Sequence, residues 1–231
     1  MSIINFYNHI PKSMLNNAYN PNYDLHLLKI PFRMVVNSPS GGGKSNYILN
    51  LIHLFSKGNG TFKDIQIFTR NKNEPLYEFL VEKSNNKISI QEGLKNLPDL
   101  DKMDKKENHL VIFDDLVLEK NQDRICEYYI RARKMNCSII YLSQSFYKIP
   151  KIIRSNCNYF VILKMGGNRE VNLIMSEFSL GVSKDQLLNM YKYATNDKFN
   201  CLLIDVDDPT KKYRRNFTEI LNPDDFLTSK T

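Results

Sequence analysis

The sequence predicts an α/β fold in which a mostly parallel β-sheet is covered by helices on both faces. Short apolar runs rich in β-branched residues recur along the chain and alternate with helical patterns, as in sheets built from strand–helix–strand units. The length of 231 residues suits one such domain and leaves little for a second. We therefore expect a polar lead-in over residues 1–29 and a single domain over residues 30–231.

The individual elements follow from the same patterns. Apolar runs predict strands at residues 29–37, 64–70, 88–90, 109–116, 138–144, 159–164 and 201–206. Helical patterning predicts helices at residues 45–57, 74–83, 121–134, 168–178 and 183–194. The first helix is stopped by Gly58 and Gly60, and the second has Pro75 in its first turn, which are typical positions for these residues.

The composition argues against a membrane-spanning protein and a cysteine-ligated metal site but does not by itself predict a function. The apolar runs are strand-sized, well short of the roughly 20 residues that cross a bilayer, so we expect no membrane-spanning segment. The four cysteines show no metal-ligand spacing and predict buried free thiols in a reducing compartment. The net charge of +7 suits either a polyanionic partner such as nucleic acid or simple solubility.

A glycine-rich turn between the first strand and the first helix carries the strongest chemical signal. Glycine lets a loop curl so that backbone N–H groups point at a phosphate chain, and the following helix N-terminus adds a favourable dipole. Lys44 would reach the β- and γ-phosphates of ATP, and the Ser45 hydroxyl would bind Mg²⁺. The predicted ATP-binding residues are Ser38, Pro39, Ser40, Gly41, Gly42, Gly43, Lys44, Ser45 and Asn46.

Ser38 departs from the usual phosphate-loop motif, which begins with glycine. The three glycines at residues 41–43 remain in the tight part of the loop, so the physical requirement for a curled backbone is still met. The alternative is a Gly/Ser turn followed by an ordinary helix. The strand before the turn and the helix after it favour the phosphate loop.

Two aspartates follow the buried strand HLVIFDDL. The strand delivers Asp114 to its carboxyl end, where ligand sites of α/β proteins gather. Asp114 would bind Mg²⁺, directly or through water, and Asp115 would orient and deprotonate the attacking water. The alternative is a pair of helix-capping aspartates, which the phosphate loop makes the weaker interpretation.

Gln144 follows a further buried strand that ends in polar residues, SIIYLSQ. In one large division of ATPases an extra strand lies between the loop strand and the acidic strand, and it ends in a polar residue. Gln144 is placed to contact the γ-phosphate or the attacking water. The alternative is that Ser143 or Ser145 caps a helix or turn.

Arginine is the remaining catalytic residue type to locate. An arginine supplied by a neighbouring subunit can stabilise the charge that develops on a transferred phosphoryl group. Arg154 lies ten residues after Gln144 and is the first candidate, on the expectation that it lies at the same sheet edge. Arg131 and Arg133 are second candidates, and each of the three competes with the simple interpretation of a surface arginine.

Taken together, SPSGGGKS, LVIFDDL, RARKMN, SIIYLSQS and KIIRSN resemble the poxvirus-type genome-packaging ATPases of large DNA viruses and virophages, within the FtsK/HerA superfamily. The similarity covers roughly residues 30–165. It implies a RecA-like core, a ring of five or six identical subunits, and ATP-driven movement of double-stranded DNA into a capsid through a portal vertex. It also implies that Lys44, Ser45, Asp114, Asp115 and Gln144 have the roles given above.

The resemblance places such a protein in the host cytoplasm or viral factory, or in the virion. The basic clusters at residues 131–134 and 211–215 are then the candidates to grip DNA phosphates without reading sequence; which of them faces the DNA stays open, and the alternative for residues 211–215 is a solvated face. Two other functions share the phosphate loop. A nucleotide or small-molecule kinase usually carries an arginine-rich lid, which this chain does not show. A nucleotide-binding virion protein that moves nothing is the second alternative.

Overall fold

A computed structural model describes residues 3–11, 18–84, 87–179 and 181–227. Its strands form one nine-stranded sheet in the order β3-β2-β4-β5-β1-β6-β7-β8-β9. The strands are β1 Arg33–Asn37, β2 Asp64–Thr69, β3 Ile88–Glu92, β4 His109–Asp114, β5 Cys137–Ser143, β6 Tyr159–Leu163, β7 Cys201–Asp205, β8 Tyr213–Arg215 and β9 Glu219–Ile220. The α-helices are α1 Tyr23–His26, α2 Lys44–Phe55, α3 Pro75–Lys83, α4 Gln122–Arg131, α5 Lys151–Asn156, α6 Asn168–Phe178 and α7 Lys184–Ala194.

Strands β1 to β6 are all parallel, as the sequence predicts. Asn37 of β1 pairs with Ser143 of β5, and Asp114 of β4 pairs with Leu142 of β5. The carboxyl ends of β1, β5 and β4 therefore meet at one edge of the sheet within a residue of each other. Because neighbouring strands lie about 4.8 Å apart, β1 and β4 are separated by roughly 10 Å across β5.

Helices cover both faces of the sheet, which confirms the predicted layering. Side chains alternate between faces along each strand, so Met34 and Val36 pack with α2 on one side. Val35 lies in the opposite cluster, which includes apolar residues of α4, α5, α6 and α7. Three of the four cysteines are buried as free thiols. In the described part of the chain, no helix is long and apolar enough to cross a membrane.

The basic stretch at residues 211–215 corrects a sequence-based expectation. Part of it forms β8, which pairs antiparallel with β7 and β9. Arg214 is fully buried, donates a 2.8 Å hydrogen bond to the Leu27 carbonyl and pairs with Asp205 at 3.5 Å. Arg215 pairs with Asp197 at 2.7 Å. Residues 211–215 therefore do not form an exposed phosphate-gripping cluster, because sheet pairing and internal ion pairs hold their arginines.

The last part of the predicted lead-in packs on the domain. Asn22 is buried and donates hydrogen bonds to the Phe55 carbonyl and the Thr61 hydroxyl. The His26 ring stacks edge-on against Phe55, and Leu28 is fully buried in the core. The core thus already includes residues before position 30, and the division into 1–29 and 30–231 remains a prediction.

Candidate nucleotide-binding site

The turn between β1 and α2 has the curled backbone that the sequence predicts. Gly41 and Gly43 have positive φ angles of 69° and 103°, a region that side-chain-bearing residues rarely adopt. The Ser38 N–H donates to the Ser143 carbonyl at 3.1 Å, which ties the loop to the end of β5. The helix α2 begins immediately afterwards at Lys44.

Ser38 fits the position where the usual motif has glycine because its backbone is not left-handed. Its side chain is fully buried and its hydroxyl donates to the Pro39 carbonyl at 3.3 Å. A Cβ added to Gly42 would meet the Ser38 Oγ at 2.1 Å. Ser38 and Gly42 therefore share one space inside the loop, and the serine is accommodated only because residue 42 has no side chain.

Lys44 points back into the loop. Its Nζ donates hydrogen bonds to the carbonyls of Ser38 at 2.9 Å and Pro39 at 3.2 Å. Burial lowers the pKa of the Lys44 ammonium, while the carboxylates of Asp114, Asp115 and Glu74 oppose that shift. Lys44 thus lies between the loop and a group of acidic side chains, a position from which its ammonium can reach phosphate oxygens held by the loop.

Asp114 is a buried carboxylate at the end of β4. The Tyr77 hydroxyl donates to its Oδ2 at 2.7 Å, and the Thr69 hydroxyl lies 3.5 Å from the same oxygen. Burial raises the pKa of Asp114, and the hydrogen bond from Tyr77 opposes that rise. Tyr77 is itself fully buried on α3, so it fixes the orientation of the carboxylate.

Asp115 and Gln144 lie at the ends of adjacent strands. Asp115 has a φ of 53°, an uncommon value for a non-glycine residue that aspartate adopts more readily than most. Its N–H donates to the Leu142 carbonyl at 3.4 Å. Gln144 directly follows β5, which lies between β1 and β4. The predicted order, with an inserted strand that ends in a polar side chain, is therefore confirmed in the fold.

These elements enclose a cavity of about 510 Å³ at the carboxyl edge of the sheet. Most of the predicted residues line it, and Ser38, Pro39 and Gly42 form the loop behind it. The lining residues are Ser40, Gly41, Gly43, Lys44, Ser45, Asn46, Thr69, Arg70, Asn71, Glu74, Leu76, Asp114, Asp115, Gln144 and Phe199. The structure thus brings Lys44, Ser45, Asp114, Asp115 and Gln144 together.

Sequence reasoning missed the residues that β2, α3 and the loop before β7 bring to the site, among them Arg70, Glu74, Tyr77 and Phe199. Arg70 and Glu74 follow β2, whose carboxyl end reaches the same edge because β2 pairs with β4. The polar residues after β2 were the available signal, since any parallel strand next to β4 must end near Asp114. Phe199 precedes β7 and lies against Gly43, where an added Cβ would meet its ring at 2.6 Å; no local pattern indicates that contact.

Arg154 does not lie where the sequence suggests. It is on α5, which leads back to the start of β6, and the N–H of Asn158, directly before β6, donates to the Arg33 carbonyl at the start of β1. The expectation that Arg154 shares the edge of Gln144 is wrong, because the chain has already turned toward the opposite edge. Arg154 pairs with Glu177 at 2.7 Å and its guanidinium lies 4.9 Å from the Phe146 ring centroid.

Arg131 and Arg133 are also remote from the cavity. Arg131 pairs with Asp101 at 2.7 Å and with Glu127. Arg133 is exposed in the 3₁₀ turn that leads into the start of β5. Both lie toward the amino edge of the sheet, so the cavity of their own chain receives neither guanidinium.

The residues present fit a nucleotide with its metal better than a free anion. The loop offers backbone N–H groups, Lys44 and a helix N-terminus, all of which favour phosphate. Asp114, Asp115 and Glu74 face the same cavity and would repel bare phosphate oxygens. A bound Mg²⁺ ion would remove that repulsion, and Ser45 and Asp114 offer the oxygen ligands that it prefers.

A largely parallel sheet that holds a phosphate-binding loop across one strand from a buried aspartate is the architecture of a P-loop NTPase. Within that class the chain belongs to the family described as poxvirus A32 protein, whose model matches residues 21–208. The DNA packaging protein OPG160 of vaccinia virus (strain Copenhagen) is 31% identical over 198 residues, covering 79% of this chain and 72% of the relative. OPG160 of variola virus matches with the same identity and coverage.

Solved structures share the fold at low identity. The genome packaging NTPase B204 of Sulfolobus turreted icosahedral virus 2, in complex with AMPPCP, has a TM-score of 0.60 at 14% identity, covering 84% of this chain and all of B204. ATPases 2 and 3 of EssC from Geobacillus thermodenitrificans give a TM-score of 0.55 at 12% identity, covering 84% of this chain and 40% of that protein. These likenesses confirm the predicted P-loop NTPase fold.

The shared space of Ser38 and Gly42 generates a prediction. We expect Gly42→Ala to destabilise the loop by about 1–3 kcal/mol, as overpacking does, and to weaken ATP-analogue binding. The double variant Ser38→Gly/Gly42→Ala should recover part of both losses, because the clashing hydroxyl is gone while the Pro39 carbonyl oxygen still lies 3.0 Å from the added Cβ. Thermal unfolding and calorimetric binding measure the two effects. Equal defects in the single and double variants would contradict the shared-space account.

Proposed function

We propose that this protein is an ATP-hydrolysing motor that moves double-stranded viral DNA into a capsid. Membership of the A32 family supports the proposal, because relatives in that family are DNA packaging proteins. The likeness of the fold to a genome packaging NTPase that binds a nucleotide analogue supports it further. The substrate would be ATP with Mg²⁺.

The observation that carries the proposal is the position of β5. It separates the loop strand β1 from the acidic strand β4, and its end brings Gln144 into the cavity. A polar side chain there is placed to contact the γ-phosphate. When the γ-phosphate is lost, a movement of this side chain would also move the segment that follows β5. Such a sensor suits a motor, which must convert hydrolysis into movement.

The predicted site residues of the cavity then have separate roles in the transfer of the γ-phosphoryl group to water. Lys44 would bind the β- and γ-phosphates, and Ser45 and Asp114 would hold Mg²⁺, which when bound would neutralise charge on the phosphates. Asp115 accepts a proton from the attacking water. Gln144 orients that water or contacts the γ-phosphate. The exposed Phe199 ring beside Gly43 offers an apolar surface to the rest of the nucleotide.

A nucleotide or small-molecule kinase is the rival function. The inserted strand with Gln144 argues against it, and so does the lining of the cavity. Of the arginines in the described ranges, only Arg70 lines this cavity, whereas a kinase lid closes several basic side chains over the phosphates. A nucleotide-binding virion protein that moves nothing remains the other rival, and a response of ATP turnover to DNA separates it from a motor.

Partners and location follow from the same proposal. A motor that threads DNA through a capsid vertex requires a closed ring, so we propose a pentamer or hexamer of identical chains docked on a portal. The site of action is the host cytoplasm or viral factory, with the virion as the end point. Arg154 lies away from the cavity of its own chain, and it would be the residue that reaches the nucleotide of a neighbouring subunit.

The roles of the acidic residues generate a prediction. Lys44→Ala should reduce ATP turnover about a hundredfold or more, because it removes a preorganised charge from the transition state. Asp115→Asn should keep ATP and Mg²⁺ bound while turnover falls, whereas Asp114→Asn should lose Mg²⁺-dependent binding. Steady-state turnover and calorimetry measure both, with the exposed Lys57→Ala as the control. If Glu74→Gln abolishes turnover and Asp115→Asn does not, the base is Glu74.

Tyr77 generates a prediction about pH. Without its hydroxyl the buried Asp114 loses a charge-assisted hydrogen bond, so the Asp114 pKa rises further above its ordinary value. In Tyr77→Phe, the acid limb of the profile of kcat against pH should therefore move to higher pH than in the wild type. The Mg²⁺ concentration needed for half-maximal turnover should rise about tenfold. Profiles of kcat against pH at several Mg²⁺ concentrations measure both shifts.

The matched control for Tyr77→Phe is Tyr47→Phe. Tyr47 is also buried beside the site, on α2, and its hydroxyl has no hydrogen-bond partner among the described residues. Removing that hydroxyl should leave the acid limb of the profile and the Mg²⁺ requirement unchanged. Similar shifts in both variants would reduce Tyr77 to a packing role.

The proposed role of Arg154 is tested by mixing subunits. Arg154→Ala chains keep their own loop, and Lys44→Ala chains keep Arg154, so mixed rings should recover part of the lost turnover. Arg70 lines the cavity of its own chain, so mixing Arg70→Ala with Lys44→Ala should recover nothing. Full activity of Arg154→Ala alone would reject Arg154 and leave Arg70 as the arginine of the site.

A further inference from the structure

The segment that follows Gln144 has an unusual charge. Residues 144–169 contain five basic side chains and no acidic one, in a chain whose whole net charge is +7. One of the five, Arg154, is already paired with Glu177. The other four are exposed and lie on the loops and helix starts that leave the carboxyl ends of β5 and β6. With Tyr147 they form a surface that we call the basic patch: Tyr147, Lys148, Lys151, Lys164 and Arg169.

Packing holds the basic patch together. Phe146 and Ile149 are buried and anchor the segment after β5, so the two residues between them, Tyr147 and Lys148, are held outward. The Arg169 guanidinium lies 5.4 Å from the Tyr147 ring centroid, which joins this segment to the start of α6. Ser145 donates a hydrogen bond to Glu170 across the same junction, so the carboxylate that directly follows Arg169 already has a partner.

We propose that the basic patch grips the phosphate backbone of duplex DNA and is the surface through which ATP turnover moves DNA. The inference rests on the proposed motor function and deepens it. Four exposed cations without an acidic residue in the stretch complement a polyanion. The Tyr147 ring is covered by Arg169 rather than free to stack on a base, which favours backbone contacts over single-stranded recognition.

The position of the basic patch links it to the nucleotide cavity. Gln144 lines the nucleotide cavity, and Lys148 is four residues further along the same anchored segment. A shift of Gln144 on loss of the γ-phosphate is transmitted directly to Tyr147 and Lys148. The two clusters first expected to bind DNA do not have this link, since residues 131–134 lie toward the opposite edge and Arg214 is buried.

The test compares two triple variants that each remove three charges. Lys148→Ala/Lys151→Ala/Arg169→Ala changes the patch, and Lys102→Ala/Lys105→Ala/Lys106→Ala changes exposed lysines before β4, at the other edge. Binding of two unrelated duplexes is measured across a salt series with an ATP analogue, beside ATP turnover with and without DNA. Each phosphate contact contributes about 0.9 to the slope of log affinity against log salt.

The patch variant should lose between one and three such contacts for both duplexes and lose DNA stimulation, with DNA-independent turnover unchanged. The control variant should behave as wild type. If DNA stimulates ATP turnover equally in the wild type and the patch variant, the role of the basic patch is overturned but the motor function is not. A wild type that neither binds duplex nor responds to it overturns the motor function as well. If the triple variant fails to fold, the exposed Lys148→Glu must weaken binding, and unchanged binding overturns the inference.

Discussion

The parallel pairing of β5 with both β1 and β4 is the constraint on which the rest of the site depends. It fixes Asn37 opposite Ser143 and Asp114 opposite Leu142, and thereby sets the spacing between the phosphate loop and the buried aspartate. Two further backbone hydrogen bonds extend that alignment beyond the strands, from Ser38 to Ser143 and from Asp115 to Leu142. A slip of either pairing would move Lys44 and Asp114 out of a common cavity.

Burial of opposite charges is the second constraint. Lys44 and Asp114 are both largely withdrawn from water. Burial lowers the pKa of Lys44 and raises the pKa of Asp114, and so favours the neutral form of each. Each charge is retained by its neighbours: Asp114 accepts from Tyr77, and Lys44 donates to two loop carbonyls. These partners are all uncharged, and a bound nucleotide with Mg²⁺ would add partners of opposite charge, so the site suits a ligand that carries both signs.

The sequence predicted the parallel sheet, its covered faces and the residues whose chemistry is local. The phosphate loop and the acidic pair lie within short stretches where each residue's neighbours in the chain are also its neighbours in space. Glu74 and Phe199 were missed because their place in the site depends on strand order and on a loop far along the chain. Arg214 was misjudged because the sequence shows a charge and not its burial; its carbonyl partner, Leu27, is 187 residues away.

In the proposed function, ATP turnover at this cavity moves the protein along duplex DNA. The most direct measurement is displacement of a third DNA strand from a duplex ahead of the protein. We expect displacement that requires ATP and Mg²⁺, proceeds on unrelated duplex sequences, and is absent with Lys44→Ala. ATP hydrolysis by the wild-type protein on the same duplex without any displacement would contradict it.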